Sequence, residues 1–280
     1  MQDTMHIVFS TDANYARYMG VTLLSIMKNR NPGDDLAFHI LDGGITESDR
    51  SKITRMAKED DCTVDFIPMD DSMLASLPIT MGGHHVTIAT YYRLFLPVLL
   101  FVPRCIYLDC DMIVRGSLRP LWQTDLHGHI MAGVEDISAA RNCARLSLDT
   151  YVNAGALVMD LDAMRREHVF DRFMDFMRSH PEKLEYHDQD VMNSVLQGRL
   201  MTMSKQWNCM LCKTRSCREA GFYALRDSAP VIHFVGHRKP WHKRCKTPMR
   251  MLYWQYLQRS PWAEPKATHL WHMIRSFFRL

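Results

Sequence analysis

Asp109 and Asp111 stand one residue apart in the middle of residues 106–114, and the other seven residues of that stretch are apolar or cysteine. The run reads as one buried strand. Side chains alternate across a strand, so both carboxylates point to the same face and Cys110 to the other. Two like charges at a buried position are costly unless a cation sits between them. A hard divalent ion such as Mg²⁺ or Mn²⁺ takes oxygen ligands and shares them with substrate phosphates. The bland alternative is a strand-end turn with incidental acids, since Asp is common in turns.

A second cluster lies in residues 231–242, where His233 ends an apolar run and Lys239 follows. Gly236 between them would let the backbone approach a ligand closely. Imidazole suits Mn²⁺ better than Mg²⁺, so a histidine joining two aspartates tilts the metal towards manganese. Taken alone, that histidine would read as a buried structural group. Two more Asp-x-Asp pairs show how little the pattern means by itself. Asp162 follows a strand and reads as the cap of a helix over residues 163–177. Asp188 and Asp190 precede another helical run and are compatible with either a cap or a functional role. Cys209, Cys212 and Cys217, with Cys245 farther on, raise the question of zinc, but the second pair of a zinc ribbon is missing and they read as ordinary thiols. The Gly-rich dinucleotide loop and the P-loop are both missing.

These groups need a scaffold, and the pattern supplies one. Residues 6–9 form a short apolar strand ending in polar turn residues. Residues 15–29 have helical spacing, with Met19, Leu23, Leu24 and Met27 on one side. A second strand within 36–45 is closed by Asp42-Gly43-Gly44, a helix starts near Thr46, and residues 62–69 make a third strand. Later strands are expected at 105–108, 130–134, 155–159 and 231–234. Such alternation argues for right-handed β-α-β units, hence an α/β fold with a mostly parallel central sheet flanked by helices. Ligands of such sheets bind beyond the carboxyl ends of the strands, where Asp12, Asn14, Tyr15, Asp109, Asp111 and His233 all fall.

The chain has 280 residues, 47% of them apolar and 23% charged, as in a folded protein of one large domain or a domain with an appendage. No signal peptide or membrane-spanning run is evident, so the eight cysteines read as reduced, intracellular thiols. The net charge of +3 is unevenly spread: from residue 238 onward ten Lys and Arg face one acid, Glu264, whereas the preceding 237 residues hold 24 basic and 30 acidic side chains. A basic tail on an acidic body suggests an anionic partner. Within it, residues 268–280 place Leu270, Ile274, Phe277 and Phe278 on one helical face and His272, Arg275 and Arg279 opposite. We therefore expect a catalytic domain over residues 1–245 and a basic, amphipathic tail over 246–280. The excess of basic charge favours attachment of the tail to anionic lipid over docking on the body.

Six stretches occur in a fixed order: IVFSTDANY, YYRLFLP, IYLDCDMIV, YVNAGALVMDL, HDQDVMN and HFVGHRKPWH. Together they resemble glycosyltransferase family 8, and within it the bacterial lipopolysaccharide galactosyl- and glucosyltransferases, over residues 6–242. The resemblance implies a GT-A type nucleotide-sugar-binding fold and a retaining, metal-dependent transfer of glucose or galactose from a UDP-hexose. It places Asp109, Asp111 and His233 as ligands of Mn²⁺ or Mg²⁺. Ser10, Asp12, Asn14 and Tyr15 would cradle the uridine, Gly236 and Lys239 the diphosphate, and Cys110 would join them in binding the nucleotide sugar. Arg93, Asn153, Ala154, Asp188 and Gln189 would hold the sugar, and His85 and Thr90 lie where acceptor contacts begin. Val152 stands where many relatives carry Phe, leaving Asn153 intact. The implied partners are a UDP-sugar, a saccharide or glycolipid acceptor and an anionic membrane, with no nucleic acid. The implied location is peripheral, on the cytoplasmic face of the inner membrane.

Breaking the anomeric C–O bond leaves negative charge on the departing UDP, which a cation and Lys239 would stabilise with little reorganisation. Retaining glycosidases use a carboxylate nucleophile, whereas the family places the amide of Gln189 on the back face. An amide oxygen is a poor nucleophile, so a front-face reaction fits better. Two other readings are weighed. A sugar-1-phosphate nucleotidyltransferase would normally show a Gly-rich loop at the first turn. A non-catalytic UDP-sugar-binding protein would have little need of an intact Asp109, Asp111, His233 and Gln189.

Overall fold

The computed structural model describes residues 3–70, 72, 87–211, 221–237, 239–242, 245 and 249–265. Among the described residues there are ten strands, most of them separated by helices: β1 (Met5–Asp12), β2 (Leu36–Gly43), β3 (Thr63–Pro68), β4 (Arg104–Leu108), β5 (Met112–Val114), β6 (Met131–Glu135), β7 (Val152–Asp160), β8 (Leu200–Thr202), β9 (Cys209–Met210) and β10 (Val231–His233). The α-helices are α1 (Ala16–Lys28), α2 (Glu47–Glu59), α3 (Leu96–Leu99), α4 (Arg119–Trp122), α5 (Ala139–Leu146), α6 (Leu161–Arg166), α7 (Val169–Ser179), α8 (His187–Val195), α9 (Phe222–Ser228) and α10 (Arg250–Leu257). A seven-stranded sheet has the order β3-β2-β1-β4-β7-β6-β8. Pairings β1–β2, β2–β3, β1–β4 and β6–β8 are parallel, and β7 runs against both neighbours, so six of the seven strands share one direction. The mostly parallel sheet expected from the sequence is present.

Alternation along β1 explains the layers. Ile7 and Phe9 face a cluster with Met19, Leu23 and Ile26 of α1 and Ile53 and Met56 of α2. Val8 faces the opposite cluster, with Tyr91, Leu94, Phe173, Met177 and Met192. Burying both faces is what makes β1 and β2 read as nearly continuous apolar runs. The start of α2 follows its capping residue, since Thr46 Oγ1 accepts from the Asp49 amide at 3.2 Å.

Four expectations need correction. Residues 106–114 are two strands, not one. The chain leaves the large sheet after Leu108, turns through Asp109–Asp111, and enters a three-stranded sheet of order β5-β10-β9. Two backbone bonds fix this turn: the Asp109 amide donates to Gly155 O at 2.8 Å and the Phe234 amide to Asp111 O at 3.0 Å. Strand β10 accordingly belongs to the small sheet and not to the central one. Finally, the helix after β7 is capped by Asp160, whose Oδ1 accepts from the Ala163 amide at 2.8 Å. Asp162 lies in the first turn and pairs with Arg165 at 2.6 Å. That helix is also split, because His168 adopts a left-handed φ of 49° between α6 and α7.

Helix α10 buries Tyr253, Trp254 and Leu257 in a third cluster with Val21 of α1. Glu264 reaches Arg17 at 2.7 Å. Residues 249–265 of the basic C-terminal stretch therefore lie on the body, and residues 266–280, the amphipathic part, lie outside the described residues. Among the described residues no helix is long and apolar enough to cross a membrane. Cys62, Cys105, Cys110, Cys143 and Cys209 are free thiols, and Cys212 and Cys217 lie outside the described residues.

Candidate active site

A cavity of about 470 Å³ opens beyond the carboxyl ends of β1, β4 and β6, closed on one side by the small sheet and on another by the start of α8. It gathers Ser10, Asp12, Tyr15, Thr90, Arg93, Asp109, Cys110, Asp111, Asn153, Ala154, Asp188, Gln189, His233, Gly236 and Lys239. Of the residues singled out from the sequence, Asn14 does not line it; that side chain is exposed, and its amide donates to Asp12 Oδ1 at 2.9 Å. The same Asp12 oxygen accepts from the Tyr15 amide at 3.0 Å, so Asp12 shapes the turn from β1 into α1. His85 lies outside the described residues.

The turn between the sheets, joined by β10, brings Asp109, Asp111 and His233 together, with one ligand atom of each within 4.8 Å of the others. His233 Nε2 lies 3.2 Å from Asp111 Oδ1 and 3.7 Å from Asp109 Oδ2. Its tautomer can be traced from a fixed donor. The Gly155 amide donates to Asn153 Oδ1 (3.0 Å), which orients that side chain. Asn208 Nδ2 then donates to the same Oδ1 (2.9 Å), leaving Asn208 Oδ1 to accept from His233 Nδ1 at 2.8 Å. As a metal ligand the imidazole would keep its proton on Nδ1 and turn the lone pair of Nε2 towards the two carboxylates. Three electron-rich groups facing one another make sense around a cation, and an oxygen, oxygen, nitrogen set fits a divalent metal ion. Gly155 makes the room: a Cβ there would meet Asp109 Oδ2 at 2.9 Å and collide with the His233 ring.

Lys239 is buried beside this group, its Nζ donating to Asp111 Oδ2 and, at 3.0 Å, to Phe234 O. Burial alone would raise the Asp111 pKa; Lys239 and His233 overcome this and hold it below the ordinary carboxylate value. Gly236 has a φ of 78°, the left-handed region that favours glycine, at the bend leading to Lys239. Burial raises the Cys110 thiol well above its usual pKa, and its Sγ donates to Ser10 O at 3.2 Å, so it lies beside the cavity as a neutral thiol. Burial likewise raises the Tyr15 phenol.

The opposite wall is a network of amides and hydrogen-bonded charge. Gln189 Oε1 accepts from the Ala154 amide (2.9 Å) and from Asn153 Nδ2 (3.2 Å). Asn153 Nδ2 and Gln189 Nε2 both reach Asp136 Oδ2, at 2.9 and 3.4 Å. Arg93 is buried and bridges two acids, lying 3.1 Å from Asp109 Oδ1 and 3.0 Å from Asp188 Oδ2. It also donates to Ala154 O at 2.6 Å and sits 4.2 Å from the centre of the Tyr107 ring. Burial works against its charge, but Asp188, Tyr107 and Asp109 outweigh it and raise its pKa. For Asp188, burial wins over Arg93 and Thr90 and raises the pKa. Thr90 donates to Asp188 Oδ1 at 2.8 Å. Asp190 is wholly buried, held by Tyr151 and Arg145 at 2.6 Å each and by the Tyr186 amide.

Asp136 and Asn208 were not singled out from the sequence. Asp136 follows β6, so the rule that picked Asp12 would have found it. Asn208 carries no such signal, because its partners come from distant segments.

Residues 6–245 match the model of glycosyl transferase family 8. General stress protein A of Bacillus subtilis (strain 168) is 28% identical over 275 residues, covering 93% of this chain and 95% of that protein. A lipopolysaccharide 1,2-glucosyltransferase of Escherichia coli (strain K12) is 27% identical, covering 94% and 80%. Among solved structures, the galactosyltransferase LgtC in complex with donor and acceptor sugar analogs superposes with a TM-score of 0.82 at 27% identity, over 95% of this chain and all of that one.

Proposed function

This chain belongs to glycosyl transferase family 8, and from that premise we propose that it is a retaining hexosyltransferase. It moves glucose or galactose from a UDP-hexose to a saccharide acceptor in the synthesis of lipopolysaccharide or a related surface glycolipid. The observation that carries this reading is one cavity with a cation-demanding cluster on one wall and a fixed amide on the other. The names of the relatives, a lipopolysaccharide glucosyltransferase and a galactosyltransferase, support the choice of sugar and acceptor.

In this reading Asp109, Asp111 and His233 hold Mn²⁺, or Mg²⁺ less well, and the bound ion supplies Lewis-acid stabilisation of the leaving diphosphate. Lys239 adds positive charge on the same side, with Gly236 giving backbone access. Ser10, Asp12 and Tyr15 receive the uridine, with Asn14 at the rim. Arg93, Asn153, Ala154 and Asp188 orient the hexose. The reaction is front-faced: the anomeric C–O bond to phosphate breaks, the acceptor oxygen bonds to that carbon from the same side, and its proton passes to the departing phosphate oxygen. Gln189 turns its amide dipole on the positive charge of the sugar. Two carboxylates near it, Asp188 and Asp190, are tied to Arg93 and Arg145, which favours this route over a covalent intermediate. Incubating the purified protein with Mn²⁺, truncated lipopolysaccharide and a panel of UDP-sugars should release UDP from UDP-glucose or UDP-galactose; release from neither overturns the proposal.

The same proposal includes peripheral attachment at the cytoplasmic face of the inner membrane through residues 266–280. Each basic residue near an anionic surface contributes about 1 kcal/mol. Removing residues 266–280 should release the protein from anionic vesicles and spare UDP-sugar hydrolysis. Undiminished sedimentation of the truncated chain with vesicles would sink this part.

A further inference from the structure

Helix α1 carries three polar residues at helical spacing on an otherwise apolar face: Thr22, Ser25 and Asn29, the last just beyond its final turn. Thr22 and Ser25 are fully buried, although the neighbouring Leu23, Leu24 and Ile26 would suit that environment without needing partners. The partners are the backbone of the segment that carries Asp111. Thr22 Oγ1 lies 2.9 Å from Cys110 O and 2.8 Å from Met112 O, the two carbonyls on either side of Asp111, which share its single proton in a bifurcated bond. Ser25 Oγ accepts from the Val114 amide at 2.9 Å and donates to Thr22 O at 2.6 Å. Asn29 Nδ2 donates to Val114 O at 3.1 Å and to Ser25 O at 2.8 Å.

Strand β5 explains the need. It is the edge of the small sheet, pairing through Met112–Val114 with β10 alone. An edge strand leaves a row of backbone groups without a neighbouring strand, and burying them unpaired is costly. The side chains of α1 stand in for that missing strand. Residues 110, 112 and 114 are alternate positions, which is the periodicity with which backbone groups face one edge.

We propose that Thr22, with Ser25 behind it, is a positioning residue for the divalent-cation site: it fixes the backbone on both sides of Asp111 and thereby the direction of that carboxylate. The inference rests on the metal-dependent reading above. It assigns part of the site's geometry to a helix whose side chains never enter the cavity. Because α1 starts at the turn shaped by Asp12, one rigid element sets both the nucleoside end and the metal end of the site.

The test measures Mn²⁺ binding directly, by paramagnetic resonance of free Mn²⁺, beside thermal unfolding. Thr22→Val keeps the shape and removes the hydroxyl, and should weaken Mn²⁺ binding about tenfold, as loss of a supporting hydrogen-bond partner does at metal sites. Thr22→Ser restores the hydroxyl and should bind within about twofold of wild type. Ser25→Ala, farther from Asp111, should weaken binding about threefold. A merely structural role would lower the melting temperature of Thr22→Val and leave its Mn²⁺ affinity unchanged, which overturns the inference. Should Thr22→Val fail to fold, Ser25→Ala decides, and wild-type affinity in it has the same consequence. If wild type itself binds no Mn²⁺, the metal reading falls and this inference with it, a result distinct from equal binding by wild type and variant.

Discussion

The two walls of the cavity are built from different materials. On the carboxylate side Asp109, Asp111, His233 and Lys239 confront one another, and the elements beneath are short: a turn and the small sheet. On the amide side Asn153, Ala154 and Gln189 are joined in a hydrogen-bonded network resting on β7 and α8, with Asp136 accepting from both side-chain amides. In the proposed reading the first wall would receive a charge that arrives with the substrate. The second is arranged to hold a dipole in a set direction. Electrostatic stabilisation by preorganised groups is the largest single contribution in most enzymes. Damage to the charged wall should therefore cost more than damage to the amide wall.

The largest effect is expected from Asp111→Asn or Asp109→Asn. The amide is nearly isosteric, so the fold should persist, while Mn²⁺-dependent UDP release should fall on the order of 10³-fold. Near wild-type turnover in chelator-treated protein to which Mn²⁺ is restored would break the distinction between the walls.

Gln189→Ala should cost about 10²-fold in kcat, because one dipole among several is lost. Its residual product should still be α-linked from an α-linked UDP-sugar. A β-linked product, seen in the NMR signal of the anomeric proton, would mean that the amide wall does not face a front-side reaction.

The difference between the walls also bears on what a sequence makes legible. The scaffold common to both walls is readable from apolar periodicity: β1, α1, β2, α2 and β7 bury side chains at the spacings their structures demand. The charged pair Asp109 and Asp111 was readable as chemistry but not as geometry. A continuous apolar run does not distinguish one strand from two, and the break lies where backbone bonds to Gly155 and Phe234 pull the chain apart. The choice between Asp160 and Asp162 as a cap depends on a shift of two residues that identical side chains conceal. Thr22 and Ser25 were least legible. In sequence they are small polar interruptions of a helix, and only the free edge of β5 gives them a task.

The smallest effect should come from a place that belongs to neither wall. His6 on β1 and His39 on β2 touch through Nδ1 and Nε2 at 3.0 Å. Burial, and then His6, lowers the His39 pKa to about 4, and burial lowers that of His6. A lowered folded-state pKa means that the unfolded chain takes up the proton first. Stability is therefore full above the ordinary value of 6.5 and declines as pH falls from there to about 4. Asp111 behaves differently. Its folded pKa lies below the ordinary aspartate value of 3.8, so its contribution is intact through that window and is lost only at lower pH. The two regions should thus separate along the acid limb of an unfolding curve. His39→Gln should remove part of the loss between pH 6.5 and about 4, on the order of 1 kcal/mol after screening, or about 3 °C in melting temperature. It should leave Mn²⁺ affinity and turnover at pH 7.5 unchanged. If His39→Gln melts with the same pH dependence as wild type, the acid sensitivity does not come from this pair.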